Sequence, residues 1–191
     1  KPRTFRRGRR PGRPRKKGSL LSHVRRPQLS GRHPLHVTWR VRVGLPNLRS
    51  PRAMRAIRAA FVAGKKREGF RLVHFSVQKN HVHMICEAEN ATVLARGLQG
   101  LAVRFARGVN RVFGRRGSVL ADRYHGRVLR TPREVRWALG YVLCNTRKHN
   151  AELLVPKQLP RRWLDSCSSA ALFDGWKGRE APRAPSEEDP V

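Results

Sequence analysis

Acidic side chains are scarce in this sequence: 12 of 191 residues are Asp or Glu against 43 Lys and Arg, a formal net charge of +31. Such an imbalance excludes an ordinary soluble enzyme acting on small molecules and calls for a polyanionic partner. Nucleic acid leads that class over an anionic membrane surface, because the planar fork of arginine, the dominant basic residue, matches phosphate oxygens. Long apolar runs are also missing. None approaches the roughly 18 to 20 residues that span a bilayer, and no signal-peptide pattern is present, so a cytoplasmic protein is expected. Cysteine is scarce as well: Cys86, Cys144 and Cys167 include no C-x-x-C pair, which excludes a zinc ribbon or a disulfide framework and leaves reduced thiols. The length accommodates one core of roughly 100 to 150 residues with flanking arms.

What is present divides into three parts. Residues 1–34 combine Arg, Lys, Pro and Gly with few apolar side chains, a mixture that buries too little surface to offset chain entropy. A disordered basic arm is expected. Within it, Arg10-Pro11-Gly12-Arg13-Pro14-Arg15-Lys16-Lys17 resembles an AT-hook, whose extended Gly-Arg-Pro centre enters narrow minor grooves. Arg13 and Arg15 are therefore candidate DNA contacts, with nonspecific phosphate binding as the plainer alternative. Residues 35–150 carry the patterned domain. The last part, 151–191, has scattered anchors (Leu153, Leu154, Trp163, Leu172, Phe173, Trp176) and an acidic, Pro-rich end over 181–191 that is expected to be disordered.

In the patterned domain Leu35, Val37, Trp39, Val41 and Val43 alternate with polar residues, which predicts a half-buried strand. Ser50-Pro51 opens a helix bearing Met54, Ile57, Phe61 and Val62 and ending near Gly69. Phe70 to Gln78 and His81 to Glu89 read as a hairpin turning at Lys79-Asn80. Ala91 to Phe113 is a long amphipathic helix with Leu94, Leu98, Leu101, Phe105 and Val109 on one stripe. Arg123 to Arg130 reads as a fourth strand, and Thr131-Pro132-Arg133-Glu134 as the capped start of a last helix reaching about Asn145. The order β-α-β-β-α-β plus a helix predicts an α+β, ferredoxin-like antiparallel sheet with helices on one face, followed by the helix that carries Tyr141, leaving the other sheet face free for a site.

Two local patterns bear on chemistry. On a strand, His81 and His83 point to one face and sit close enough to converge on one cation, while Val82, Met84 and Cys86 face the helices. An H-x-H pair is also a common surface or hydrogen-bonding feature. On the last helix, Tyr141 and Asn145 are spaced i, i+4 and share a face, although a lone helical tyrosine is ordinarily a core or interface residue.

Lys79-Asn80-His81-Val82-His83-Met84-Ile85 and Leu139-Gly140-Tyr141-Val142-Leu143-Cys144-Asn145, in this order, resemble the histidine strand and the tyrosine helix of IS200/IS605-like single-tyrosine (HUH) transposases, close to the REP-associated tyrosine transposases. The resemblance covers roughly residues 32–150 and includes Asp122-Arg123-Tyr124-His125-Gly126-Arg127-Val128. Two positions depart from the family: Lys79 and Thr146 stand where members often carry proline. Neither change removes a ligand or the nucleophile.

The resemblance implies that Tyr141 attacks a phosphodiester of single-stranded, hairpin-flanked DNA, forming a 5′-phosphotyrosine link and releasing a 3′-hydroxyl that later rejoins another strand. It implies a divalent metal, Mg²⁺ or Mn²⁺, held by His81, His83 and Asn145. A phenol in water is only about 0.1% ionised at neutral pH, so Lewis-acid help of that kind has a chemical purpose. Tyr124, the one other tyrosine, is the rival nucleophile, favoured here as a DNA-contact or packing residue. Arg104, Arg107, Arg111, Arg115, Arg116 and Arg123 are candidates for gripping the backbone. His74 and His125 are expected to hold ordinary hydrogen-bonding roles. DNA binding implies association with the nucleoid, and a homodimer with Tyr141 acting in cis or trans stays open. The competing readings are a non-catalytic single-stranded nucleic-acid-binding module and an inactive or domesticated transposase descendant.

Overall fold

The computed structural model describes residues 29–147, 159 and 163–176. The AT-hook-like stretch with Arg13 and Arg15, the anchors Leu153 and Leu154, and the acidic end over 181–191 lie outside the described residues. Strand β1 (Leu35–Arg40) leads to helix α1 (Pro51–Val62), a short β2 (Lys66–Arg67), the hairpin β3 (Phe70–Val77) and β4 (His81–Ala88), helix α2 (Ala91–Val112), β5 (His125–Val128) and helix α3 (Pro132–Leu143). The sheet order is β2-β3-β4-β1-β5. Because β1 and β3 are both antiparallel to β4, they run parallel with β4 between them, the split βαβ arrangement.

The elements form for local reasons. The side chain of Ser50 caps α1 by accepting from the Ala53 N–H, and Asn90 caps α2 by accepting from Thr92 and Val93. Thr131 and Glu134 close a capping box at the start of α3. Both α1 and α2 bury their apolar stripes against one sheet face, where Val37, Trp39, Val82, Met84 and Cys86 join Ile57, Phe61, Leu101 and Phe105 in the main core. Burial also pushes the Cys86 thiol far above its ordinary value, as expected of an inert buried sulfur. The other sheet face is narrower in its apolar content: Ile85 packs with Leu129, Ala138 and Val142, so α3 lies there.

Strand β3 shows why its sequence alternates imperfectly. The register shifts between Leu72 and His74, a bulge that changes the side-chain phase. Phe70 and Leu72 before it, and Phe75 and Val77 after it, consequently all reach the main core, while Val73 packs with the α3 cluster.

Several expectations are corrected. Helix α1 ends at Val62 rather than near Gly69, because Lys66 and Arg67 pair with Arg71 and Phe70 to form β2. Gly69 supplies the positive φ, +66°, of that turn. Val43 is not a strand residue; it is fully exposed at 103%, past the last bridge at Val41. Strand β5 is shorter than residues 123–130. The face opposite α1 and α2 is not left free: α3 covers part of it, and the site is built in the angle between α3 and the sheet. Of the expected C-terminal anchors, Trp163, Phe173 and Trp176 are half-buried while Leu172 is exposed.

Candidate active site

Strand alternation sends Val82, Met84 and Cys86 into the main core, which leaves His81, His83 and Ile85 on the α3 face. The antiparallel register then sets β1 residues beside them: His36 opposite Ile85, Thr38 opposite His83 and Arg40 opposite His81. The His81 and His83 ring centroids are 4.8 Å apart. His81 Nδ1 lies 2.8 Å from Asn80 Oδ1. An amide oxygen only accepts, so a neutral His81 holds its proton on Nδ1 and its lone pair on Nε2. His83, 6% exposed, has Nδ1 3.1 Å from Thr38 Oγ1 and 3.2 Å from His36 Nε2. Both are able to accept from Nδ1–H, and in that tautomer His83, like His81, holds its lone pair on Nε2.

Tyr141 enters from the last full turn of α3. Its ring centroid is 5.0 Å from that of His83 and 5.7 Å from that of His36, edge-on to both. His36 thus completes a histidine–tyrosine cluster that the sequence motifs omitted, and burial, followed by the positive charges of His125 and Arg127, lowers its pKa and favours the neutral ring. The signal for His36 and Thr38 was present as the polar phase of β1, but it could be used only once β1 was known to be the neighbour of β4.

Asn145 lies beyond the end of α3, where the chain makes a turn at Cys144 and resumes helical backbone over residues 145–147. Its side chain is 1% exposed, and neither Oδ1 nor Nδ2 has a hydrogen-bond partner among the described residues. A buried amide of this kind ordinarily has a partner. The neighbouring Thr146 anchors this turn: its hydroxyl donates to Asp165 Oδ2. Asp165 in turn pairs with Arg49 at 2.7 Å, and Arg49 donates to the Val77 carbonyl at 2.8 Å. Burial alone would raise the Asp165 carboxyl, but hydrogen bonds from Arg49, Thr146 and the Cys167 N–H hold it below its ordinary value.

The remaining candidates separate by face. Arg104, Arg107 and Arg111 lie on α2, across the sheet from Tyr141, and are exposed. Arg115 is half-buried and bonds Asn110 Oδ1 at 3.1 Å; Arg116 and Arg123 are exposed on the connection to β5. None of these is brought to the histidine cluster. Arginines do stand on the elements around the cluster: Arg40 on β1 is opposite His81, Arg127 on β5 pairs with Glu134 at 2.8 Å, and α3 itself carries Arg133 and Arg136. Tyr124 packs against the main core, whereas Tyr141 meets the histidines. His74 Nδ1 lies 3.2 Å from Ser169 Oγ, a structural role that matches expectation. His125 is opposite Thr38 on the edge strand and exposed.

No protein-family model matches the chain, and no curated protein matches it. Among solved structures, a REP-associated tyrosine transposase bound to a REP hairpin is similar over 68% of this chain and 74% of its own, with 19% identity and a TM-score of 0.54. A candidate transposase from Deinococcus radiodurans R1 aligns over 72% of this chain and 96% of its own, with 16% identity and a TM-score of 0.43. At these identities the likeness is one of fold, and the first structure carries it. Among the described residues no helix is long and apolar enough to cross a membrane.

Proposed function

We propose that the fold shared with a REP-associated tyrosine transposase serves the same class of chemistry here: a metal-dependent DNA transposase that cuts and rejoins single-stranded, hairpin-flanked DNA through Tyr141. The observation that carries this reading is the placement of the Tyr141 ring, 5.0 Å from that of His83 and 5.7 Å from that of His36 by centroid, over the interior strands β4 and β1 of a chain of net charge +31.

Among the described residues no group of three or more His, Cys, Asp or Glu side chains forms a metal cage, so a cation would take a mixed set. The residues fit such a set. His81 and His83 present Nε2 lone pairs from rings oriented through Nδ1, and Asn145 offers a buried amide oxygen whose partner is otherwise lacking among the described residues. Water and a phosphate oxygen would complete an Mg²⁺ or Mn²⁺ shell. The cation, when bound, supplies Lewis-acid polarisation of the phosphate and orientation of the scissile bond.

The protein's own residues do the rest. Tyr141 Oη forms a bond to phosphorus as the P–O3′ bond breaks; the phenol loses its proton and the 3′ oxygen gains one, so charge and atoms balance without ATP. The link formed is a 5′-phosphotyrosine. Attack by a 3′-hydroxyl on such a link reverses the exchange and rejoins strands. His36 and Thr38 fix the ring plane of His83, and the Arg49–Asp165–Thr146 chain fixes the turn that holds Asn145.

The test is to compare wild type with Tyr141→Phe and His81→Ala for a denaturation-resistant adduct on single-stranded hairpin DNA. The proposal expects Tyr141→Phe to lose the adduct while DNA affinity changes less than about two-fold, since one aromatic ring replaces another. His81→Ala should lose it together with Mn²⁺ binding. An adduct that persists in Tyr141→Phe would transfer the nucleophile's role to another residue.

A further inference from the structure

Helix α3 exposes one aromatic side chain. Trp137 is 65% exposed, and it is the only exposed Trp, Tyr or Phe among the described residues. The large apolar surface of tryptophan gains by burial and its ring prefers a stacking partner. No packing need explains it: α3 seats itself on the sheet through Ala138 and Val142, with Val135 and Leu139 alongside. The guanidinium of Arg133 lies 4.8 Å from the centroid of the Trp137 ring, a contact that stiffens the indole and places a positive charge beside it.

Spacing connects this ring to the nucleophile. Arg133, Trp137 and Tyr141 follow one another at i, i+4 and i+8 on α3, so they form one stripe in which successive side chains are about 5 to 6 Å apart. The stripe climbs from Tyr141, half-buried against the histidines, to Trp137 and Arg133 in solvent. Stacked bases rise about 3.4 Å per nucleotide along the strand axis, and one helical turn of about 5.4 Å therefore corresponds to about one or two nucleotides. Arg136, adjacent in sequence, is also exposed. An aromatic face with flanking arginines matches an unpaired nucleobase and its phosphates, whereas a duplex hides its base faces.

We propose that Trp137 is a stacking platform for an unpaired base of single-stranded DNA, with Arg133 bracing the ring. The placement of that base beside the scissile phosphate rests on the reading of Tyr141 above; the stacking itself does not.

The experiment measures binding of the full chain, in EDTA, to three fluorescent probes: a mixed-sequence single-stranded 20-mer, the same backbone with all bases removed, and the 20-mer as a duplex. Wild type should bind the single strand more tightly than its abasic counterpart. Trp137→Ala should lower that preference by about ten-fold, within the range of one base–aromatic stack, with abasic affinity and melting temperature unchanged, and Trp137→Phe should restore part of it. An unchanged preference, an equal loss on both single strands, or a change in oligomeric state on gel filtration would overturn the platform, the last by assigning Trp137 to a contact between copies. Neither metal nor Tyr141 chemistry enters this assay, so absence of an adduct would count against the transposase reading alone.

Discussion

The amide of Asn145 makes a prediction that does not depend on DNA. Buried at 1% exposure with no hydrogen bond among the described residues, it is an unfavourable residue for the metal-free protein by about 1 to 3 kcal/mol. Asn145→Leu should therefore unfold at the same or a higher temperature than wild type in EDTA. In Mn²⁺ it should lose the stabilisation that ligand binding gives the wild type. A lower melting temperature in EDTA would mean that the amide is a structural partner. His81 with His83, and Tyr141 with Asn145, were legible as pairs because their spacing implies a shared face, but only the family resemblance joined the two pairs into one candidate site. His36 and Thr38 were not legible. Their pairing with His83 crosses 47 and 45 residues of sequence, and only the β1–β4 register creates it.

At the scale of elements, α3 is held at both ends. Its start was plain in the sequence, where Thr131, Pro132 and Glu134 occupy the capping positions. Its far end was not, since the Arg49–Asp165–Thr146 chain joins three separate segments and one of them lies in the C-terminal extension. Asp165 has a side chain 2% exposed and Arg49 one 23% exposed. Arg49→Ala strands the carboxylate and should destabilise the protein by about 3 kcal/mol, less whatever water relieves through the half-buried arginine's vacated space; chemical denaturation checks this. The Asp165 carboxyl is held low in the folded state, so its contribution is present above the unfolded value of about 3.9. That contribution declines as pH falls below this value and is gone below the folded-state pKa. Arg49→Ala should accordingly flatten the acid limb of the stability curve. Helix α2 has its own close contact: a Cβ at Gly97 would meet the Phe70 ring at 2.3 Å. Gly97→Ala should cost about 1 to 3 kcal/mol despite its better helix propensity. The bulge at Val73 was illegible for a related reason: the phase change that keeps Phe70, Leu72, Phe75 and Val77 on one core, with Val73 turned to α3, shows only once both faces are packed.

For the whole molecule, charge was legible before any fold, but its distribution was not. The arginines of α2 lie across the sheet from Tyr141, so they are expected to act on DNA some distance from the scissile phosphate. Joint replacement of Arg104, Arg107 and Arg111 by Ala should weaken DNA affinity while leaving adduct yield at saturating DNA near wild type. A loss of yield at saturation would place those arginines in the chemistry. Residues 1–28 carry 12 of the 43 Lys and Arg, enough to contribute a large share of counterion release. Their deletion should weaken binding and reduce the slope of log K against log salt, by about 0.7 for each single-strand phosphate that the arm neutralises.

The central claim, that Tyr141 is a metal-dependent nucleophile toward single-stranded DNA, is tested most directly by incubating the protein with 5′- or 3′-labelled hairpin pools in Mn²⁺ or EDTA. The products are then denatured and the linked residue mapped by peptide mass. The account predicts an adduct in Mn²⁺ only, retaining the 3′ label and carried by the peptide containing Tyr141. Tight DNA binding with demonstrated metal occupancy but no adduct across diverse hairpins would contradict it, and would favour a non-catalytic nucleic-acid-binding protein or an inactive descendant.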